Sequence, residues 1–385
     1  MQILGAVLES VGAPAPYAAS RPLAVGPLDL DPPRAGEVLV RIETAGVCHS
    51  DLSVVDGARA RPTPMLLGHE AAGIVEELGA GVDGLQVGDR VVMTFLPRCG
   101  RCAACASDGR LPCPAGSAAN GAGALLGGGV RLHRDGQPVA HHLGVSAFAS
   151  HAVVDRASVV RVDPDVPPDV AALLGCAVLT GGGAVANAAR PAPGETVMVV
   201  GLGGVGLAAA LVARALGHHV IGVDSNDAKL AHARACGVEE ALSPEHLLDS
   251  GRVAPVVIEA AGHPRAFETA LAATAPGGRT VTVGLPSPDA RAAVSPLLLT
   301  AEARTIIGSY LGSATPERDV PRYARLWREG RLPVERLISA RITLEGVNEA
   351  MDALAEGRAL RQLIHLDGHA GEHPEPERKD QHSHG

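Results

Sequence analysis

A β-branched run, Thr196-Val-Met-Val-Val200, stops at the glycine turn Gly201-Leu202-Gly203-Gly204-Val205-Gly206. A small-residue helix is predicted over Leu207–Leu216, with Gly217 as its stop. A second apolar run, His219-Val-Ile-Gly-Val223, ends on Asp224. Strand, G-x-G-x-x-G turn, helix, strand and acidic residue form the fingerprint of a dinucleotide-binding βαβ unit. The turn alone would mean little in a chain with 47 glycines; its context makes it specific. Gly201 permits the tight turn, Gly203 lets backbone approach a pyrophosphate, and Gly206 lets the helix pack close to the strand. The helix N-terminus then offers its unpaired N–H groups to the phosphates.

The βα rhythm continues after Asp224. Helices are predicted at Asp227–Ala235 and Pro264–Thr274, and strands at Ala254–Ala260, Arg279–Val283 and Arg304–Gly308. Such alternation gives a parallel sheet covered on both faces. The first half reads differently. From Gly5 to about Leu174 the runs are short, alternate in polarity and are broken by Gly and Pro, as in Glu37–Glu43, Asp89–Thr94 and Ser150–Asp155. That pattern predicts a compact β-barrel-like domain. Aromatic residues make up only 2% of the chain, so its cores are built from Ala, Val and Leu. From Pro316, Tyr323, Leu326 and Trp327 fall at helical spacing and are read as core packing.

Bulk properties narrow the function classes. With 385 residues, 46% hydrophobic and 19% charged, the chain is globular and long enough for two domains. A net charge of −9 argues against nucleic acid as a partner. No apolar run is expected to approach the roughly 20 residues needed to cross a membrane. The N-terminus has no basic segment and an early acid, Glu9, so no signal peptide is expected and the default location is cytoplasmic.

Seven cysteines are present, and four cluster as Cys99-x2-Cys102-x2-Cys105-x7-Cys113. In a reduced compartment this spacing favours a closed, structural, tetrahedral zinc site over disulfides. A second signal is dispersed: Gly46-Val-Cys48-His49-Ser50-Asp51, then Leu67-Gly68-His69-Glu70, then Leu174-Gly175-Cys176. Each is weak alone, since a lone Cys is more often a small buried hydrophobe. Two thiolates and one imidazole together would make a zinc site with its fourth position open.

In this order, these motifs with Gly88-Asp89-Arg-Val and Thr180-Gly181 make the chain resemble the zinc-dependent alcohol dehydrogenases of the medium-chain dehydrogenase/reductase superfamily, from about residue 1 to 366. The resemblance implies an α/β fold: a GroES-like β-barrel catalytic domain plus a Rossmann doubly wound parallel sheet. It implies catalytic zinc on Cys48, His69 and Cys176, with Glu70 as a temporary ligand during exchange. Asp51 would orient the imidazole, and Ser50 would hydrogen-bond the alcohol oxygen and begin a proton relay. Many family members carry a histidine three residues after this serine; here the position is Ser53.

NAD is the implied cofactor, with Asp224 on the adenosine ribose and no Arg or Lys at 225 or 226 to favour NADP. Lys229 matches a further ribose contact, and His49 and Arg361 match pyrophosphate contacts. Thr180, Leu202, Val205, Val283 and Leu285 would line the nicotinamide pocket beside Gly201, Gly203, Gly204 and Gly206. The implied reaction is reversible hydride transfer from a zinc-bound primary or aromatic alcohol to NAD, giving an aldehyde or ketone, with two zinc ions per chain.

The expected domains are 1–177, a catalytic domain with its zinc lobe at 99–113; 178–310, binding NAD; 311–366, returning to the catalytic domain; and 367–385, a disordered His-rich tail. The Gly-rich segment Asn120–His142, ending in His141-His142, is expected to rim the substrate channel and to accompany a homodimer. Two alternatives stand beside this reading. One is a dehydrogenase of S-(hydroxymethyl)thiols, in which the arginine that glutathione-using members carry soon after the fourth cysteine is missing until Arg131. The other is a non-catalytic NAD-binding protein, which would need a broken zinc site.

Overall fold

A computed structural model describes residues 1–366; the tail predicted at 367–385 lies outside the described residues. Valine-rich runs build a parallel sheet whose six strands lie in the order Glu240–Leu242, Val220–Val223, Val197–Val200, Ala254–Glu259, Thr274–Thr282 and Thr305–Gly308. Every neighbouring pair is parallel. Val197–Val200 comes first in the chain but sits in the middle. The connections therefore leave it in opposite directions, which opens a crevice at the carboxyl ends of the strands. Side chains alternate between faces. Val197, Val199, Val256 and Ile258 join one core with Leu207 and Leu211, while Met198, Val200 and Val257 join another with Leu247 and Ala270.

The other half is antiparallel in the main. Gln2–Leu8, Leu23–Leu30, Leu132–Arg134, Gln137–His141 and Met65–Leu66 close a small barrel. A second sheet holds the long strand Glu37–Val47, paired to Ala71–Leu78, His151–Asp155 and the returning Arg361–His365. Buried between barrel and sheet, Arg131 Nε donates to Glu37 Oε2 at 2.8 Å, and its backbone N–H donates to His141 Nε2 at 3.0 Å.

The two halves are joined by one helical run, Pro168–Ala189, in which α-helical turns alternate with π-helical stretches at Leu174–Val178 and Ala184–Ala189. The boundary expected at 177/178 falls inside it. This run corrects one expectation: it is long and apolar enough to cross a membrane, yet 83% of its most apolar window is buried in protein. It is a core helix, and reading its middle as separate glycine and cysteine motifs hid its length. Tyr323 and Leu326 of helix Pro316–Arg328 are buried, with Trp327 partly covered beside them.

Burial pushes the His141 imidazole down to about 3, with Arg131 and His133 adding to the effect. An imidazole held neutral in the folded state stabilises fully above its unfolded value of about 6.5. That stability is lost as pH falls from there towards 3, because the unfolded chain takes up a proton that the folded chain refuses. Between pH 6 and 5, urea unfolding of the wild type should therefore lose up to about 1.4 kcal/mol per pH unit more than that of His141→Gln.

Candidate active site

A cleft of 670 Å³ runs between the carboxyl ends of the parallel sheet and the β-rich half. Cys48, Ser50 and Cys176 line one wall, and Gly201, Gly203 and Asp224 line the other. Cys48 ends the long strand Glu37–Val47 and caps the helix His49–Val55. His69 lies in the turn before strand Ala71–Leu78, and Cys176 sits in the first π-helical stretch. The donor atoms of Cys48, His69 and Cys176 all lie within 4.8 Å of one another, and all three residues are buried. Cys176 Sγ is 3.6 Å from His69 Nε2. The Cys48 thiol is drawn well below its usual range, first by its hydrogen bond with Cys176, then, against burial, by Arg361 and His69.

Asp51 holds this arrangement. Its Oδ2 accepts from the Cys48 backbone N–H at 3.0 Å, and its Oδ1 meets His69 Nδ1 at 3.0 Å and the Gly68 N–H at 3.3 Å. Bonding Nδ1 leaves Nε2 to face the thiols, the task of a carboxylate behind a ligating imidazole. Burial opposes the ionised form of Asp51, but His69 and His142 outweigh it and hold the carboxyl at about 2. Glu70, fully buried, has no hydrogen bond on either oxygen. Burial pushes it up to about 7 against the opposing pull of Arg361, whose Nη1 is 3.7 Å from Glu70 Oε2. Gly46 makes room for it: a Cβ there would stand 2.3 Å from Glu70 Oε1.

The donor set fits zinc: two soft thiols and an oriented imidazole converge beside an unpartnered carboxylate and face a cleft. The four-cysteine lobe fits it too. Its sulfurs are separated by 3.5 Å (Cys102–Cys105), 3.9 Å (Cys99–Cys105) and 4.0 Å (Cys102–Cys113). Four thiolates around a tetrahedral zinc lie about 3.8 Å apart. The backbone N–H groups of Cys99 and Cys105 donate to Cys113 and Cys102, both at 3.4 Å.

The second wall carries the glycine turn. Gly201 has φ +93°, and a Cβ on Gly206 would lie 1.7 Å from the Gly201 carbonyl oxygen. Asp224 Oδ2 accepts from the Leu202 N–H at 2.7 Å and Oδ1 from the Asn226 N–H at 2.9 Å. His49, Thr180, Gly204, Val205, Lys229, Val283, Leu285 and Arg361 also line the cleft. Arg361 is only 3% exposed and packs on Gly204, with its Nε unpartnered.

Two expectations are corrected here. Leu202 was expected to line the pocket, but its side chain is buried in the core against Gly222 and Val238, because the turn points it under the sheet. The segment Asn120–His142 does not line the cleft. Its residues pair into the barrel wall, and His141 and His142 are each 1% exposed. His142 instead stacks edge-on against His69, with its Nδ1 3.2 Å from Asp51 Oδ1. Ser53 turns back onto its own helix, donating to the His49 carbonyl at 2.9 Å.

Sequence reasoning missed the aromatic wall. Phe95 lies edge-on to His69 at 5.5 Å between centroids, and Tyr310 lies edge-on to Phe95 at 5.8 Å. Scarcity was the available signal, since the chain has three Phe and three Tyr.

Comparison with known proteins agrees with this geometry. Residues 34–164 match the family of alcohol dehydrogenase GroES-like domains, and residues 204–329 match that of zinc-binding dehydrogenases. A geraniol dehydrogenase of Castellaniella defragrans is 37% identical over 370 residues, 93% of this chain and 96% of that one. The crystal structure of an alcohol dehydrogenase zinc-binding domain protein from Burkholderia ambifaria superposes with TM-score 0.88 at 31% identity, covering 95% of this chain and 99% of that one. Benzyl alcohol dehydrogenase from Acinetobacter calcoaceticus gives TM-score 0.86 at 29% identity, with 95% and 99% covered.

Elemental analysis of the purified protein should find two zinc ions per chain. Cys176→Ala should retain one, held by the four-cysteine lobe. Two ions surviving in that variant would place the second metal elsewhere.

Proposed function

The chain belongs to the zinc-dependent alcohol dehydrogenases of the medium-chain dehydrogenase/reductase superfamily, and we propose that it oxidises a primary or aromatic alcohol with NAD. The observation that carries this reading is that the Cys48–His69–Cys176 donors and the glycine turn with Asp224 face one cleft. Zinc supplies Lewis-acid polarisation that makes the alcohol proton acidic, and NAD supplies the hydride acceptor. The remaining work falls to side chains.

Ser50 Oγ, on the cleft wall two residues from Cys48, accepts the alcohol proton and passes it outward. Ser53 is tied to the His49 carbonyl and does not extend the relay; NAD, when bound, would offer its ribose hydroxyls as the next acceptor. Asp51 keeps the His69 ring from rotating, and Glu70 waits behind the donors as an exchange ligand. Phe95 and Tyr310 keep water from the reacting carbon and give an apolar surface to an aromatic or allylic alcohol. Thr180, Val205 and Val283 hold the nicotinamide face.

Asp224 is fixed by two backbone N–H groups. Its remaining lone pairs accept from ribose hydroxyls, and its charge repels a 2′-phosphate. Lys229 joins it at the ribose, and His49 and Arg361 serve the pyrophosphate. The names of two relatives, geraniol dehydrogenase and benzyl alcohol dehydrogenase, support primary allylic and benzylic alcohols as substrates. The same reading assigns residues 1–177 and 311–366 to the metal side and 178–310 to the NAD side. It includes a cytoplasmic homodimer: the seven cysteines form no disulfide, and a dimer would cover Leu297 and Leu298, exposed at 74% and 47%.

The test is NADH formation from a panel of aliphatic, benzylic and terpenoid alcohols. Ser50→Ala should lower kcat by about 10²-fold with NAD affinity unchanged. Asp224→Ala should weaken NAD by about tenfold, the scale of a lost charge-assisted hydrogen bond, without changing zinc content.

A further inference from the structure

Close to the aromatic wall two arginines have no ion-pair partner among the described residues. Arg59 lines the cleft, as Tyr310 does, just past the helix His49–Val55. Its backbone N–H is pinned to the Ser53 carbonyl at 2.7 Å. Its Nη2 reaches across to the Leu285 carbonyl at 3.4 Å, a long contact with a neutral acceptor. Arg61 stands close by, half-buried. Its Nη1 lies 3.3 Å from the Asn120 carbonyl, and its Nε is buried without a partner. Both guanidiniums act on Tyr310: burial pushes that phenol up, and Arg61 and then Arg59 pull it back.

Neither arginine has a carboxylate partner among the described residues, whereas Arg90, Arg131, Arg134, Arg279 and Arg328 are each paired. Arg59 lines the cleft without an ion pair, as Arg265 also does, and Arg61 beside it adds a buried Nε that has no hydrogen-bond partner. An unpartnered guanidinium in a partly dry site favours an anion, and its fork suits a carboxylate.

We propose that Arg59, with Arg61 behind it, forms a subsite for a carboxylate carried at the far end of the alcohol substrate. This rests on the dehydrogenase reading and narrows it. Phe95 lies against His69 and Tyr310 against Phe95, and both rings line the same cleft as Arg59. An apolar spacer between the alcohol group and the carboxylate, such as a phenyl ring or a short chain, would lie against these rings. The substrates in the relatives' names, geraniol and benzyl alcohol, carry no charge, so this subsite would set the chain apart from them. Arg59 reads the substrate by charge and takes no part in moving the proton or the hydride.

The experiment compares 4-(hydroxymethyl)benzoate with benzyl alcohol on the zinc- and NAD-loaded enzyme. The wild type should prefer the carboxylate in kcat/KM. Arg59→Gln should lower the charged-to-neutral ratio by about tenfold or more, the scale of one charge-assisted hydrogen bond, and Arg59→Lys should restore part of it. A ratio unchanged in Arg59→Gln overturns the proposal. So does a rise in the KM for NAD that accounts for the whole effect, since the arginine would then serve the cofactor. Calorimetry with unreactive 4-methylbenzoate separates the two readings. Binding to the NAD-loaded wild type that weakens in Arg59→Gln supports the subsite even if no alcohol in the panel is oxidised. Equal binding to both proteins removes the subsite even if neutral alcohols are oxidised well.

Discussion

The site depends on one buried carboxylate. Asp51 takes hydrogen bonds from the N–H of Cys48, the N–H of Gly68 and the imidazole of His69. Those groups come from a strand end, a turn and a metal-ligand side chain. A fully buried carboxylate is costly unless paired and hydrogen-bonded, and here two of its three partners, Cys48 and His69, belong to the donor cluster. Stabilising the charge and assembling the donors are therefore one event. His142 adds a fourth neighbour from the barrel wall, which ties the barrel to the chemistry without any barrel residue lining the cleft.

Much of the fold was legible because its signals are local. The β-branched run at 197–200, the glycine turn and Asp224 lie within 28 residues of one another, from Val197 to Asp224, and their chemistry does not depend on distant packing. Helix Asp227–Ala235 has the bounds predicted for it, and the Asn226 side chain caps it by accepting from the Ala228 and Lys229 N–H groups. The cysteine lobe is equally local. The dispersed donors were legible only through resemblance, because Cys48, His69 and Cys176 become neighbours through three separate elements. What escaped was set by tertiary packing: the direction of Leu202 under the sheet, the folding of 120–142 into the barrel, and the rings of Phe95 and Tyr310 meeting from opposite halves of the chain. The continuous helix Pro168–Ala189 was obscured because its glycines read as breaks, although burial among other helices makes them points of close approach. Gly181 is such a point, since a Cβ there would stand 2.2 Å from the Val205 carbonyl oxygen.

Charge in the cleft is arranged along its length. Asp224 sits at the sheet end, Arg361 stands 3.7 Å from Glu70 behind the donors, and Arg59 lies near the aromatic wall. The cleft thus offers an acid to a ribose, an apolar stretch beside the metal donors, and an arginine without an ion pair beside that stretch. Such a sequence discriminates by what it leaves unpaired as much as by what it contacts.

The helix Pro168–Ala189 places Cys176 and, four residues on, Thr180 against the same cleft. Cys176 is one of the clustered donors, and Thr180 lines the same cleft one turn further on. The helix is thus a ruler: the spacing between these two points of the cleft is set along a single element and not across a joint. Sway between the halves of the molecule can widen the entrance without changing that gap. One residue inserted between them would turn the later mark away from the cleft, so the length of this stretch is constrained even where its side chains are not.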